Sequence, residues 1–329
     1  MQAFSYTKLK SEKDALGSFG KGVAPHEVKF LAGGTTLLDL MKLEVERPRV
    51  LVDINGLDLQ GIAEDKDRVR IGAMVKNSVL ANHALIQSRY PVLSQAILAG
   101  ASPQLRNKAT TSGNLLQRTR CVYFRDTSKP CNKREPKSGC AALEGFNRNL
   151  AILGTSEQCI ATNPSDMNVA MMALEAVVHI KTAKGDKDVP IAEFYLLPGQ
   201  TPEKETVLAP GELITGVSLA PFPANTKSLY VKLRDRASYE FALASTAAIL
   251  TLNGGRIERA RIAMGGIGTK PWRSLEVEKL LEGKAPSESL FKSAAEEMVR
   301  GAKTYTENGF KVELAKRCLI HTLKQAAKA

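Results

Sequence analysis

The sequence has little cysteine and few aromatic side chains, and each shortage excludes a class of protein. Five cysteines in 329 residues are too few for a small secreted scaffold held by disulfides. Aromatic residues form 5% of the chain and do not alternate with its lysines and arginines, as a base-stacking platform requires. The net charge of +12 therefore favours a positive docking face or an anionic cofactor over nucleic acid.

Long apolar runs and familiar nucleotide motifs are also missing. No stretch approaches the roughly 20 apolar residues that span a bilayer, so we expect no membrane span. The first residues, Met1 to Lys8, lack the apolar core of a signal peptide. We therefore expect any export to depend on a signal-bearing partner. Neither G-x-G-x-x-G nor a Walker A loop occurs, so the sequence gives no basis for an NAD site or an NTPase.

What the sequence does contain is a mixture of strand and helix patterns. Apolar spacing and turn signals predict a strand, glycine turn and helix over 28–42, and strands at 50–54 and 68–73. Helices are predicted at 77–87, 92–99, about 274–282, 287–301 and 310–327, and a helix followed by a strand over 166–178. Asn253-Gly254-Gly255 between two apolar runs predicts a β-hairpin. Cys318 lies on the apolar face of the last helix and is predicted to be a core residue.

Two glycine loops suggest a phosphate site. Gly33-Gly34-Thr35-Thr36 places backbone N–H groups and hydroxyls before a helix, which suits a phosphate; a plain tight turn is the alternative. A second loop within 104–117, Ala109-Thr-Thr-Ser-Gly-Asn-Leu-Leu-Gln117, has the same small hydroxyl residues and strengthens the phosphate interpretation. Asp166, in the turn Pro164-Ser-Asp, is predicted to meet a ribose hydroxyl or to cap the following helix.

Four of the five cysteines, Cys121, Cys131, Cys140 and Cys159, lie within 39 residues in the spacing C-x9-C-x8-C-x18-C. Structural zinc sites usually use C-x2–4-C pairs, which this segment lacks, whereas iron–sulfur clusters tolerate wide spacing. Spacing alone leaves zinc and an iron–sulfur cluster open. Residues 118–137 hold seven basic and two acidic residues, which suits an anionic cluster. An anionic zinc–thiolate centre or a docking surface would also account for that charge.

Several separated stretches resemble, in order, the flavoprotein subunit of xanthine dehydrogenase/aldehyde oxidase-type molybdenum hydroxylases. They are Lys29-Phe-Leu-Ala-Gly-Gly-Thr-Thr-Leu-Leu-Asp-Leu, Ala109-Thr-Thr-Ser-Gly-Asn-Leu, Pro164-Ser-Asp, Lys232-Leu-Arg-Asp-Arg-Ala-Ser-Tyr-Glu-Phe-Ala and Gly265-Gly-Ile-Gly-Thr-Lys-Pro-Trp-Arg. The cysteine segment resembles that of the FAD subunit of bacterial three-subunit aldehyde oxidoreductases. In many relatives the Ser-Asp turn follows the Gly-Asn loop closely, whereas here 47 residues separate Gln117 from Ser165.

The resemblance implies an α+β fold and a division into domains. A two-part FAD-binding domain would occupy 1–222, with a small α/β subdomain at 1–60 and a larger mixed subdomain at 61–222. The iron–sulfur insertion would occupy about 118–164. A C-terminal α/β domain with a small antiparallel sheet and helices would follow at 223–329, beyond the change of pattern at Pro221-Phe-Pro223.

The resemblance also implies a set of cofactor contacts. The diphosphate cradle would consist of Ala32, Gly33, Gly34, Thr35 and Thr36, and Lys29 would open that loop. The second side of FAD would contact Thr110, Gly113 and Asn114, and its sugar region Asp166. Leu31, Leu37 and Gln117 are further expected cofactor contacts. Apolar contacts with the flavin would come from Leu213 and Ile214, with Lys232 close to the cofactor. Cys121, Cys131, Cys140 and Cys159 would bind a [4Fe-4S] cluster.

The implied function is electron transfer within an aldehyde oxidoreductase. A large subunit would oxidise the aldehyde at a molybdopterin cofactor, and a small subunit would pass electrons through two [2Fe-2S] clusters to FAD in this chain, which passes them to an external acceptor. No catalytic residue is predicted here. We expect a periplasmic complex exported with a signal-bearing partner, or otherwise a cytoplasmic one. The alternatives are a stand-alone flavin oxidase and a zinc-stabilised nucleic-acid-binding protein.

Overall fold

The computed structural model describes residues 1–19 and 22–328, which form twelve β-strands and thirteen α-helices. The strands are β1 Ser5–Lys8, β2 Val28–Leu31, β3 Val50–Asp53, β4 Ile62–Asp65, β5 Arg68–Gly72, β6 Val177–Thr182, β7 Gly185–Pro190, β8 Leu213–Leu219, β9 Thr226–Leu233, β10 Ala244–Asn253, β11 Arg256–Gly265 and β12 Trp272–Arg273. The helices are α1 Glu12–Leu16, α2 Leu37–Lys42, α3 Asn77–Asn82, α4 Ala84–Arg89, α5 Pro91–Ala99, α6 Pro103–Arg106, α7 Thr111–Leu115, α8 Val122–Arg125, α9 Asp166–Ala173, α10 Ile191–Phe194, α11 Leu275–Leu281, α12 Glu288–Met298 and α13 Phe310–Ala326.

These strands form three sheets, which confirms the predicted α+β class. A small parallel sheet has the order β1-β3-β2. A five-stranded antiparallel sheet has the order β4-β5-β8-β6-β7, and its central strand β8 is buried throughout. The C-terminal sheet has the order β12-β11-β10-β9 and packs against α11 and α13. The predicted domain boundary at residue 222 lies between β8 and β9.

Most predicted elements are confirmed. The glycine turn joins β2 to α2, and the hairpin β10–β11 turns at Gly254 and Gly255, which have φ of +55° and +74°. The helix predicted over 77–87 is wrong as a single element, because the chain breaks at His83 into α3 and α4. The region 104–117 is not all loop, since it contains α6 and α7. Cys318 is 1% exposed, as predicted.

Helix α9 joins the two halves of the molecule. The Ser165 hydroxyl caps it by accepting a hydrogen bond from the Asn168 amide at 3.1 Å. All eight of its residues are buried, and it packs against α5, β10 and β11. A helix apolar on every side is expected where two layers cover it. Asp166 is the first residue of α9, so the contacts of α9 with both halves of the fold also fix the polar turn that precedes it.

Among the described residues, no helix combines the length and apolar character needed to cross a bilayer.

The cysteine-bearing segment at 118–164 is an irregular unit fastened to the C-terminal half. Besides α8 it consists of turns and short bridges, one of which pairs Cys131 with Cys140. The amides of Ile152 and Leu153 both donate to the Ile267 carbonyl, at 2.9 and 3.0 Å. Backbone hydrogen bonds therefore fix the segment's position where regular secondary structure is sparse.

A buried lysine strengthens this attachment. Lys311, at the start of α13, is 0% exposed, and its Nζ donates to the Leu150 carbonyl at 3.0 Å and the Gly266 carbonyl at 2.6 Å. Burial, helped by the nearby Arg148 charge, lowers the pKa of Lys311 to about 7. The side chain thus joins the segment, the β11 turn and α13 at one point.

This lysine makes stability depend on pH. A lysine in the unfolded chain has a pKa of about 10.4, so above pH 7 the unfolded state holds a proton that the folded state has lost. The free energy of unfolding then rises with pH up to about pH 10. The free energy of unfolding in urea is measured for wild type and for Lys311→Met. We expect the wild-type value minus the Lys311→Met value to rise between about pH 6.5 and 9.5. Lys292→Met, at an exposed lysine of α12, is the control and should show no such trend; a flat difference for Lys311→Met would contradict the account.

Candidate functional site

The described residues enclose a large cleft of ≈ 1050 Å³. It is lined mainly by three stretches of chain, 25–37, 110–119 and 195–214, with further contributions that include Glu46, Lys133 and residues 161–164. Most of the residues predicted to contact a cofactor line it: Lys29, Ala32, Gly33, Gly34, Thr35, Thr36, Leu37, Thr110, Gly113, Gln117, Leu213 and Ile214. Leu31 ends β2 directly before this loop, and Asn114 lies within α7. The structure therefore brings together segments that are far apart in sequence.

The two glycine loops meet through their backbones. A Cβ on Gly33 would lie 2.1 Å from the Lys108 carbonyl oxygen and 3.2 Å from the Ala109 Cα. No other residue type permits this approach, because even alanine would clash with main-chain atoms. The next residue, Gly34, has φ of +73°. The Gly33 loop thus closes directly onto the Ala109 loop, and both face the cleft.

An asparagine fixes the first loop from behind. The Asn55 Nδ2 group donates to the Ala32 carbonyl at 2.9 Å and to the Leu31 carbonyl at 3.4 Å. Asp53 at the end of β3 orients Asn55 by accepting from its backbone amide at 2.7 Å. Asn55 is not among the predicted cofactor contacts, so this positioning role was missed.

The second loop is ordered by its own hydroxyl and amide groups. Thr110 Oγ1 accepts from the Gly113 amide at 3.2 Å. Asn114 Oδ1 accepts from Gln117 and, at 2.7 Å, from the Ser165 hydroxyl. This last contact links the loop to the cap of α9. Asn114 therefore orders the wall, while Thr110, Gly113 and Gln117 face the cleft.

Five charged side chains form a continuous series along the cleft wall. Lys29 pairs with Glu46 at 3.0 Å, and Glu46 pairs with Arg118 at 2.7 Å. The series continues from Arg118 to Glu205 at 2.6 Å and from Glu205 to Lys133 at 3.0 Å. Only Lys29 was predicted to lie here, since isolated charges in a sequence resemble any solvated surface.

The three central members of the series favour their ionised forms. Burial disfavours the charge on Arg118, but the carboxylates of Glu205 and Glu46 overcome this and raise its pKa. Burial likewise opposes ionisation of both glutamates, and their cationic neighbours nevertheless lower their pKa values. Arg118 therefore lies between two carboxylates that remain charged at neutral pH.

Asp166 and Lys232 do not line the cleft; they form a buried polar group of their own. Asp166 lines a smaller cavity of ≈ 70 Å³ that shares Thr162, Asn163 and Pro164 with the cleft. Its carboxylate accepts from the Tyr230 hydroxyl at 2.5 Å and from Lys232 Nζ at 2.8 Å. Burial and this carboxylate raise the pKa of Tyr230 well above 10. The alternative that Asp166 is a plain N-cap is wrong, because Ser165 takes that role.

The four clustered cysteines converge in space. All are free thiols and lie in or against one hydrophobic cluster with Phe124 and Ile160. Burial, with the nearby Cys131 and Cys159 thiols adding to it, raises the pKa of Cys121 to about 12. The Ala161 amide donates to the Cys159 sulfur at 3.5 Å. Among residues 1–19 and 22–328, no group of three or more His, Cys, Asp or Glu side chains is arranged so that it could hold a metal ion.

These features fit a dinucleotide in the cleft. Known ligand sites occupy about 300–1,000 Å³, and the cleft reaches the upper end of that range. The Gly33 approach leaves main-chain N–H groups and the Thr35 and Thr36 hydroxyls facing the cavity, as a diphosphate requires. Thr36 caps α2 without using its side chain, which leaves its hydroxyl for a ligand. Leu213 and Ile214 supply an apolar surface on the opposite wall.

Comparison with known families agrees with this fit. The family described as the FAD binding domain in molybdopterin dehydrogenase matches residues 2–222. The family described as the CO dehydrogenase flavoprotein C-terminal domain matches residues 229–326. Together the two matches cover nearly the whole chain, and FAD is the cofactor that the first one names.

Individual proteins give the same assignment. The chain is 51% identical to the aldehyde oxidoreductase FAD-binding subunit PaoB of Escherichia coli (strain K12), over 99% of both chains. It is 28% identical to the glyceraldehyde dehydrogenase medium chain of Sulfolobus acidocaldarius, covering 89% of this chain and 85% of that one. A carbon monoxide dehydrogenase structure from Hydrogenophaga pseudoflava superposes with a TM-score of 0.76 at 25% identity, covering 99% and 97%. The chain therefore belongs to the family of FAD-binding medium subunits of molybdenum aldehyde oxidoreductases and carbon monoxide dehydrogenases.

Proposed function

We propose that this chain is the FAD- and [4Fe-4S]-carrying electron-transfer subunit of a molybdenum-dependent aldehyde oxidoreductase. The observation that carries the proposal is one juxtaposition. Four free cysteines converge within a segment that also forms part of the wall of the dinucleotide cleft. The 51% identity to an aldehyde oxidoreductase FAD-binding subunit supports the choice of aldehydes over carbon monoxide as the substrate class of the whole enzyme.

In this proposal the two glycine loops hold FAD. The backbone at Gly33 and Gly34 and the hydroxyls of Thr35 and Thr36 bind the diphosphate, and the loop with Thr110, Gly113 and Asn114 holds the second side of FAD. Leu213 and Ile214 pack against the flavin. Asp166 contacts the cofactor where the cleft adjoins the small cavity, and Lys232 orients the Asp166 carboxylate through their contact at 2.8 Å. FAD supplies the two-electron chemistry that links single-electron carriers to an external acceptor, and the chain's own residues bind and orient it.

Cys121, Cys131, Cys140 and Cys159 are the proposed cluster ligands. Their spacing lacks the C-x2–4-C pairs that structural zinc sites usually have, whereas an iron–sulfur cluster tolerates wide spacing. Backbone N–H groups and the surrounding cations are the neighbours that such an anionic cluster requires.

The remaining parts of the enzyme are assigned to partner chains. A large subunit binds the molybdopterin cofactor and oxidises the aldehyde to a carboxylic acid, and a small subunit carries two [2Fe-2S] clusters. Relatives named as a "medium chain" and an "FAD-binding subunit" support such a division. We further propose that the complex is periplasmic and is exported with a signal-bearing partner.

The cofactor content of the purified full chain tests this proposal. We expect one FAD, about four iron ions and about four labile sulfides per chain. Cys131→Ser should lose the iron and its visible absorption, because one ligand of the cluster is removed. Cys318→Ala changes a cysteine buried in the C-terminal core and should keep its iron.

Other metal contents would contradict the proposal. Zinc in place of iron would overturn the cluster assignment. Unchanged iron in Cys131→Ser would overturn the ligand assignment, and equal losses in Cys131→Ser and Cys318→Ala would show a general effect on folding.

The Gly33 contact gives a second prediction. Gly33→Ala places a methyl group against the Lys108 carbonyl, which must separate the two loops that hold the diphosphate. We expect FAD to bind at least about tenfold more weakly, equivalent to about 1.4 kcal/mol, as measured by flavin fluorescence during FAD titration. Gly61→Ala is the control, because a Cβ at Gly61 meets no atom within 4 Å. Equal FAD affinity in the two variants would contradict the assignment of this loop.

A further inference from the structure

The cysteine-bearing segment forms part of the FAD cleft through charged side chains. Arg118 and Lys133 belong to this segment and line the cleft together with Glu205. Lys133 lies two residues after Cys131 and is 10% exposed. Its Nζ also donates to the Pro202 carbonyl at 2.8 Å. Lys133 thus connects the cysteine-bearing segment to the 195–214 wall of the cleft.

Arg118 is the point where three units meet. Its Nη1 contacts Glu46 of the small subdomain at 2.7 Å, and its Nε contacts Glu205 of the cleft wall at 2.6 Å. Its guanidinium carbon lies 4.5 Å from the centre of the Phe124 ring. Phe124 is fully buried in the same hydrophobic cluster as the cysteines. Arg118 therefore links the hydrophobic cluster that contains the cysteines to the wall of the cleft.

The environment of this series makes it more than a set of surface ion pairs. Exposed pairs contribute little to stability. Here the side chains of Glu46, Arg118 and Glu205 are 12%, 22% and 29% exposed. Removing one charge from a partly buried series leaves its neighbours unpaired, which is costly in a region that water reaches poorly.

We propose that Arg118, Lys133, Glu46 and Glu205 are positioning residues that make FAD affinity depend on the folded cysteine segment. The inference rests on the proposed function, because the proposed cluster would join the four cysteines of that segment. When the cluster is bound, Phe124 and Lys133 hold Arg118 and Glu205 in place, and these hold the two cleft walls at the spacing that FAD requires. When the cluster is lost, the walls separate and FAD binds more weakly.

A double-mutant cycle on the full chain tests this coupling. The variants are Glu205→Gln, Cys131→Ser and the double variant, and the dissociation constant for FAD is measured by flavin fluorescence. We expect each single variant to weaken FAD binding about tenfold. The double variant should be no more than about threefold weaker than Cys131→Ser, because both changes break one linkage.

Glu212→Gln is the matched control. Glu212 lines the same cleft and belongs to the same wall, but it pairs with Lys187 at 2.8 Å, outside the cysteine segment. Its substitution removes the same charge, so it corrects for the long-range effect of that charge on the anionic diphosphate. In the double variant of Glu212→Gln and Cys131→Ser, the weakening of FAD binding should equal the product of the two single effects. Should Glu205→Gln fail to fold, Lys133→Met tests the same linkage from the other side.

Iron content and FAD affinity together distinguish a failure of the coupling from a failure of the proposed cluster. The wild-type chain could hold about four iron ions while Glu205→Gln and Cys131→Ser weaken FAD binding by factors that multiply in the double variant. That result would overturn the coupling and leave the proposed cluster standing. A wild-type chain that binds FAD without iron would instead overturn the proposed cluster, and the coupling with it.

Discussion

The site depends on the close approach of the Gly33 backbone to the carbonyl group of Lys108. This contact has no room for a Cβ, and it joins the small parallel sheet to the polar loop that precedes α7. Asn55 holds one side of the contact through the Leu31 and Ala32 carbonyls, while Asn114 ties the other side to the start of α9. The cleft forms because two loops from separate parts of the sequence are held in main-chain contact.

The cysteine-bearing segment contributes to this arrangement from outside the cleft. It is anchored to the C-terminal half by backbone hydrogen bonds to Ile267 and by the buried Lys311. From that anchored position Arg118 and Lys133 reach the cleft wall. The segment therefore lies between the cofactor cleft and the C-terminal domain, in contact with both. The redox centre proposed there and the flavin proposed in the cleft would be supported by the same part of the protein.

Local patterns in the sequence located both glycine loops, the β10–β11 hairpin and the helices of the C-terminal half. Those features depend on short-range rules of turns and apolar spacing, which a single sequence displays. The break at His83 was missed because the apolar pattern continues through α3 and α4. Glu46, Arg118, Lys133 and Glu205 were missed for another reason. Their roles arise from pairings across up to 87 residues, and no local pattern distinguishes them from solvated surface charges.

The central claim is that FAD in this chain receives electrons from partner subunits rather than from substrate directly. The most direct test is anaerobic rapid mixing with an aldehyde, following the flavin absorption of the assembled complex and of this chain alone. The account predicts rapid bleaching of the flavin in the complex and none in the isolated chain. Bleaching of the isolated chain by aldehyde would contradict the account, because this chain would then be an aldehyde-oxidising enzyme by itself.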